Sequence, residues 1–241
     1  MRWNIGTCGW QYPEWRGVLY PPGLPQRQQL AQYAAEFDTV EVDSTFYRLA
    51  SVATFAHWAD QVPDDFTFAL KASRYLTHVR RLAEPAEPVA RLMEHARALG
   101  SHLGPILLQL PPTLVCDVDA LGDALRAFPE ATRVAVEFRH PSWFVDEVRA
   151  LLAAQHAALV WTDRRNRRGE PSWSTTSWGY VRMHEGIASP PTSYGDRALV
   201  RWQEALEGVW DREVFVYFNN DLGGAAVLNA RRLQTLVSGS D

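Results

Sequence analysis

Eight short apolar runs, each followed by a stretch of helical period, constrain this chain more than any other feature. The runs are Asn4–Gly9, Thr39–Asp43, Phe66–Lys71, Pro105–Leu110, Arg133–Arg139, Ala158–Asp163, Gly179–His184 and Val214–Asn219, and their ends recur about every 30 residues. Between them, Leu199, Trp202, Leu206 and Val209 follow one helical face, and Val145, Val148, Leu151 and Leu152 follow another, opened by Pro141. Strands that alternate with helices pair in parallel, because each crossover needs a helix-length connection. A closed barrel of eight such units takes roughly 250 residues, and this chain has 241. The sequence therefore predicts an α/β fold, a single (β/α)8 TIM-like barrel over residues 1–241, with an open doubly wound sheet as the alternative. The last residues, from about 237 (Ser238-Gly239-Ser240-Asp241), read as a loose tail.

Successive side chains of a strand point to opposite faces. In the second run Val40 and Val42 share one face, and Glu41 and Asp43 the other. In the third, Phe66, Phe68 and Leu70 oppose Thr67, Ala69 and Lys71; in the fourth, Ile106, Leu108 and Leu110 oppose Gln109. In the fifth, Val134, Val136 and Phe138 oppose Ala135, Glu137 and Arg139. Val181 and Met183 oppose Tyr180, Arg182 and His184, while Val214, Val216 and Phe218 oppose Tyr217 and Asn219. The apolar face meets the helices, so the polar face looks into the barrel near the carboxyl ends of the strands, where barrels of this kind build their active sites. Asp163, ending the sixth run, is placed by the same rule. The ring holds Glu41, Asp43, Glu137 and Asp163 against Lys71, Arg139 and Arg182, with His184 able to carry either state. A self-satisfied ion network is the alternative to a working site, although an apolar core would be the cheaper way to stabilise a barrel.

The chemistry follows from residue type. Of 24 lysines and arginines only one, Lys71, is lysine; it reads as an anion holder ahead of a Schiff-base nucleophile, with a salt bridge to Glu41 or Glu137 as the plain alternative. Lys71, Arg139 and Arg182 facing one cavity suit a carboxylate or phosphate, and Glu137 or His184 can move a proton. Glu41, Glu137, Asp163 and His184 offer oxygen and imidazole ligands, so a divalent metal is possible, but three cations in the ring compete for the carboxylates and no ligand spacing motif is present; no other cofactor is predicted. Cys8, also inward, reads as a small packed residue. Two loops sit on the same end. Gly9-Trp10-Gln11-Tyr12-Pro13-Glu14-Trp15 is aromatic. Asp163-Arg164-Arg165-Asn166-Arg167-Arg168-Gly169 is basic, with Trp173 and Trp178 beyond it, so nucleic acid is a possible partner through Arg164, Arg165, Arg167 and Arg168, against the plainer reading of a solvated loop.

Composition narrows the classes. A net charge of −4 argues against a general polyanion binder. Two cysteines, Cys8 and Cys116, make no disulfide framework, Met1-Arg2-Trp3-Asn4 has no apolar leader pattern, and no apolar run reaches the roughly 18 residues of a membrane span. The expectation is a cytoplasmic protein without membrane contact. There is no dinucleotide fingerprint, Walker loop or nucleophile-elbow serine.

Five blocks, in order from about residue 3 to residue 236, carry a resemblance. Ile5-Gly6-Thr7-Cys8-Gly9-Trp10, Val40-Glu41-Val42-Asp43-Ser44-Thr45-Phe46-Tyr47-Arg48, Gln109-Leu110-Pro111-Pro112, Val136-Glu137-Phe138-Arg139-His140-Pro141-Ser142-Trp143 and Tyr217-Phe218-Asn219-Asn220-Asp221 together resemble the YecE-like family, domain-of-unknown-function family seventy-two. The resemblance implies a TIM barrel and no settled activity. It also implies functional positions at Glu41, Tyr47, Lys71, Gln109, Glu137, Arg139, Asp163, Arg182, His184, Asn219, Asn220 and Asn229. The chain departs from the pattern at Asp43, where asparagine is usual, and at Glu185, an acid between His184 and Gly186; both add an acid near the pocket.

The combined expectation is an enzyme acting on a small polar, anionic molecule. Arg139, Arg182 and Lys71 hold the anion, Glu137, His184, Lys71 and Asp163 carry the chemistry, and Glu41, Tyr47, Gln109, Tyr217, Asn219, Asn220 and Asn229 complete the substrate contacts. The alternatives are a metal-dependent enzyme on nucleic acid or sugar phosphate, of the xylose isomerase or endonuclease IV type, and a non-catalytic binding barrel. Substrate, reaction and oligomeric state are left open at this level.

Overall fold

The computed structural model describes residues 1–169 and 171–239. The fold is α/β, of the (β/α)8 TIM-barrel class, as the eightfold alternation requires. Its strands are β1 (Arg2–Thr7), β2 (Thr39–Val42), β3 (Thr67–Lys71), β4 (Leu103–Gln109), β5 (Val134–Glu137), β6 (Ala158–Arg164), β7 (Arg167–Arg168), β8 (Trp178–Glu185) and β9 (Glu213–Phe218). Its helices are α1 (Gln29–Ala34), α2 (Ser44–Tyr47), α3 (Val52–Ala59), α4 (Ala86–Ala96), α5 (Val118–Arg126), α6 (Asp146–Ala154), α7 (Asp196–Leu206) and α8 (Ala225–Ser238). The sheet order is β1-β9-β8-β6-β5-β4-β3-β2, and β7 pairs only with β6. All eight expected strands are present, shifted by a few residues at their ends.

Two differences from the expectation have local causes. The basic loop is a tight hairpin: β7 runs antiparallel to β6, pairing Asp163 with Arg168 and Arg164 with Arg167. Arg165 and Asn166, both at φ 57°, form its left-handed two-residue turn. At the other end α8 continues through Ser238, with the Gly239 amide bonded to the Thr235 carbonyl, so the loose tail does not begin where expected; Ser240 and Asp241 lie outside the described residues.

The described residues gather into two compact units. One comprises residues 1–41, 161–172 and 177–239. There β1 and β8 flank β9 in parallel register, Gly6 opposite Tyr217 and Arg182 opposite the same Tyr217. An isolated parallel bridge from Cys8 to Glu41 ties the end of β1 to β2. Trp15, Tyr20, Tyr33 and Phe37 form a buried aromatic cluster beneath the first loop, with Trp15 and Tyr33 stacked at 6.2 Å. The aromatic loop of the sequence is thus a packed support: Trp15 is fully buried, and the Tyr20 hydroxyl donates to the Trp10 carbonyl. On α7, Leu199, Trp202 and Leu206 are buried as their spacing predicts.

The other unit comprises residues 42–160 and 173–176. Parallel pairing runs β3–β4–β5–β6, with Lys71 opposite Leu107, Gln109 opposite Glu137 and Val136 opposite Leu159. The helix-facing residues Phe66, Phe68, Ile106, Leu108, Val134 and Val136 are buried, as alternation requires. Phe138 stacks on Trp143 at 4.9 Å, and the Trp143 indole donates to the Leu114 carbonyl at 2.8 Å.

Gly6 marks the tightest approach in the first unit. A Cβ there would lie 2.1 Å from the Thr39 carbonyl oxygen, so only glycine lets the backbones of β1 and β2 come this close. The Gly6→Ala variant is expected to lose about 1–3 kcal/mol or more of unfolding free energy in urea, the cost of overpacking; an unchanged midpoint would contradict this packing.

Candidate functional site

In the first unit the inward face closes on itself. Glu41 and Arg182 are both fully buried and paired, with Arg182 Nη2 at 2.7 Å from Glu41 Oε1. The Tyr180 hydroxyl donates to Glu41 Oε2 at 2.6 Å, and the Cys8 thiol to Oε1 at 3.0 Å. Burial raises the Tyr180 pKa well above the ordinary tyrosine value, and the neighbouring Glu41 carboxylate adds to it, so the phenol stays a donor. Tyr217 is equally buried and shares a hydrogen bond with the Thr39 hydroxyl at 2.7 Å. Glu41, Arg182 and Tyr217, expected among the substrate contacts, are thus enclosed by protein, and each already holds a partner. A buried guanidinium demands such a carboxylate.

Asp163 is placed differently from the inward position expected of it. Its Oδ2 accepts from the Trp202 indole of α7 at 2.9 Å, and its Oδ1 from the Tyr194 hydroxyl at 2.9 Å and the Asn166 amide at 3.1 Å. The side chain therefore lies on the helix side of β6, not on the inward face. Burial raises its pKa above the ordinary carboxylate value, partly offset by the three hydrogen bonds and by Arg201. Asn220 and Asn229 serve the same scaffold. Asn229 accepts the Tyr194 amide and donates to the Tyr194 carbonyl, each at 2.9 Å, and Asn220 donates to Asn229 and to the Thr192 carbonyl, each at 2.9 Å. Together they position Tyr194 against Asp163.

His184 and Asn219, at the ends of β8 and β9, remain half-buried, with the His184 Nδ1 and Asn219 Nδ2 atoms 3.2 Å apart. When Asn219 donates, the neutral imidazole carries its proton on Nε2. Glu185 turns to the basic hairpin: its carboxylate lies 3.7 Å from Arg164 Nε and 3.9 Å from Arg165 Nε, and the Arg165 amide donates to its carbonyl. Arg168 lies over the Trp161 ring at 5.3 Å. The added acid therefore offsets the hairpin's charge, which weakens it as a phosphate-tracking strip.

The second unit keeps its charges open. Lys71 pairs with Asp43 at 3.0 Å, in place of the expected Glu41 or Glu137, and lies 4.7 Å above the Phe46 ring. Asp43, where the family pattern usually has asparagine, thus balances the lone lysine. Arg139 donates from Nε to the buried Glu137 Oε1 at 2.8 Å and from Nη2 to Gln109 Oε1 at 3.2 Å, yet its side chain is 40% exposed. Glu137 fixes this guanidinium and leaves its outer edge to solvent. His78 stacks edge-on against Phe46 at 5.0 Å, and its Nδ1 shares a hydrogen bond with the Thr77 hydroxyl at 2.9 Å. Its pKa is lowered by burial first, and then by the charges of Arg74, Lys71 and Arg139. The charges of Arg74, Lys71 and Arg139 thus all disfavour the imidazolium form of His78, beyond the carboxyl end of β3. Tyr47, 81% exposed, packs edge-on against Phe46 and lines an open cavity beside this cluster.

Arg74 and His78 are absent from the sequence-level site. They lie in the turn after Lys71, at offsets of three and seven residues that bring them back to the strand end. Of the potential metal ligands, Glu41, Glu137 and Asp163 each already accept from arginine, tyrosine or tryptophan donors, which fits a cation poorly. No helix among the described residues is long and apolar enough to cross a membrane.

Comparison with known proteins follows the same outline. A family model described as "Protein of unknown function DUF72" matches residues 4–241. UPF0759 protein YunF of Bacillus subtilis (strain 168) is 24% identical over 267 residues, covering 97% of this chain and 94% of that protein. UPF0759 protein YecE of Escherichia coli (strain K12) is 30% identical over 141 residues, which span 58% of this chain and 49% of that protein. The crystal structure of a DUF72 family protein from Thermotoga maritima MSB8 superposes with a TM-score of 0.87 at 26% identity, covering 99% of this chain and 100% of that one.

If Glu41 is the counter-ion that makes buried Arg182 tolerable, Glu41→Gln lowers the unfolding free energy by about 3–5 kcal/mol, as for other broken buried pairs. Urea unfolding followed by tryptophan fluorescence reads the loss; a change under about 1 kcal/mol would show that Arg182 is satisfied without the carboxylate.

Proposed function

This chain belongs to the DUF72 family, and on that premise we propose that it is an enzyme acting on a small anionic substrate, a carboxylate or phosphate, held at the carboxyl ends of β3, β4 and β5. The observation that carries this reading is Arg139, held at 2.8 Å by Glu137 and at 3.2 Å by Gln109 with 40% of its side chain left exposed. A site meant only to be stable would balance its charges. Here Asp43 offsets Lys71 and Glu137 offsets Arg139, while Arg74 makes no hydrogen bond or ion pair among the described residues. One positive charge is left over where an anion fits.

The parts divide by chemistry. Arg139, clamped by Glu137 and Gln109, offers a planar fork preset for two parallel hydrogen bonds to a carboxylate or phosphate. Lys71 and Arg74 add charge without fixed direction. Glu137 accepts from Arg139 at 2.8 Å, so its part here is to position the guanidinium. His78 is the acid–base group of this reading. Neutral at pH 7 in the free protein, it can take a proton from a substrate hydroxyl or water, and a bound anion would offset the cations that depress it.

Isothermal titration with inorganic phosphate at low ionic strength tests the site. Arg139→Ala should weaken binding by about ten- to a hundredfold, the loss expected of a charge-assisted pair. Glu137→Gln should weaken it less, by freeing the guanidinium. Any turnover found for a phosphorylated or carboxylated substrate should fall by about a hundredfold or more in His78→Gln. Phosphate affinity unchanged in Arg139→Ala would overturn the reading.

A further inference from the structure

Beside this cluster, in the same unit, lies an open cavity of about 510 Å³ whose walls include Tyr47, Arg48, Ser73, Tyr75, Glu87 and Arg91. Its size falls within the roughly 300–1,000 Å³ of ordinary small-molecule sites. It occupies the segments that follow β2 and β3 and the outer face of α4, again at the carboxyl ends of strands. On α4 the inner positions Val89, Leu92 and Met93 are buried, which leaves Glu87 and Arg91 to face outward one turn apart.

We propose that this cavity binds a phosphate monoester carrying a ribose and a flat ring, in chemical class a nucleoside monophosphate. The Arg48 and Arg91 side chains make no hydrogen bond or ion pair among the described residues, so two guanidinium forks line one cavity with a single acid, Glu87, on the same wall. Phosphate is the group that such forks match. Tyr47 leaves 81% of its surface in water and Tyr75 45%, a large aromatic area for two residues of one wall. Tyr47 is braced edge-on by Phe46 at 5.0 Å. Tyr75 is braced by Arg80, whose guanidinium lies 5.3 Å from the ring and donates to its hydroxyl at 2.9 Å. Rings held from one side offer the other to a planar base. Glu87 likewise has no partner among the described residues, and a carboxylate beside a phosphate site is suited to accept from the two hydroxyls of a ribose. The Ser73 hydroxyl accepts from the Leu76 amide at 3.3 Å, which leaves its own hydrogen for the ligand. The site does not require turnover at His78. It sits beside Lys71 through Thr45, another wall residue, whose hydroxyl donates to the Lys71 carbonyl at 2.7 Å.

Calorimetric titration of the full chain with adenosine monophosphate tests this, with adenosine, ribose 5-phosphate and the 2′-deoxy monophosphate as separate arms. The monophosphate should bind at least about tenfold more tightly than adenosine or ribose 5-phosphate. Tyr47→Ala should cost about tenfold, the size of one base stacked on one ring. The double variant Arg48→Ala/Arg91→Ala should cost more than Tyr47→Ala, and Glu87→Gln should erase any preference over the deoxy form. All four positions are on the surface, so melting temperatures should hold. No heat with the monophosphate, or binding indifferent to the Tyr47 and arginine variants, overturns the proposal. Binding lost in Arg139→Ala but kept in the cavity variants also overturns it, and would place the ligand on Arg139 with the anion-site reading intact.

Discussion

Arg182 has no exposed surface, and a guanidinium that leaves water needs an anion and hydrogen bonds in exchange. Glu41 supplies the anion at 2.7 Å, and Tyr180 and Cys8 fill the remaining acceptor positions of that carboxylate. The pair fixes which residues of β1, β2 and β8 can meet, because moving any strand by one residue would swing a member of the network to the opposite face. Around it, Tyr217 spans to Thr39, and Gly6 lets β1 lie against β2. The most heavily charged part of the inward face is therefore the support of its unit, and the accessible chemistry is displaced to the strand ends.

In the other unit the same physics is left incomplete. Asp43 and Glu137 hold Lys71 and Arg139 in place without sealing them, and Arg74 adds a charge that no acid offsets among the described residues. Burial first, and then these three charges, hold the His78 pKa below its ordinary value. An anion would relieve it, and would enter from the side on which Arg139 stays open. The cavity walled by Tyr47, Arg48 and Arg91 extends this polarity along the ends of β2 and β3.

Alternation made the strands and most of the inward face legible from sequence. Val40 and Val42 against Glu41, or Val181 and Met183 against Arg182, leave one assignment that buries the apolar side. The same rule could not distinguish a pocket from a sealed ion pair, since both place charge inward; burial of Arg182 depends on Tyr180 and Tyr217 filling the space around it. It failed at Asp163 because Leu159, Val160 and Trp161 are all buried, so β6 has no polar face to read. Arg74 and His78 were missed because the turn after Lys71 has no strand period, and its return to Lys71 is a tertiary fact. The hairpin at Arg165-Asn166 lacks the Asn-Gly or Asp-Gly pair that usually announces such a turn. Glu185 read as an acid near the pocket, but its distance to Arg164 and Arg165 could not be seen without the fold.

The most direct test is the titration of His78 by nuclear magnetic resonance, with and without saturating inorganic phosphate. The free protein should show a midpoint below the ordinary value of about 6.5, because burial and three cations disfavour the imidazolium. Phosphate should move that midpoint upward, and by linkage phosphate should bind more tightly as the pH falls through it. A midpoint that is already ordinary, or one that phosphate leaves in place, would mean that Arg74, Lys71 and Arg139 do not form a common anion site.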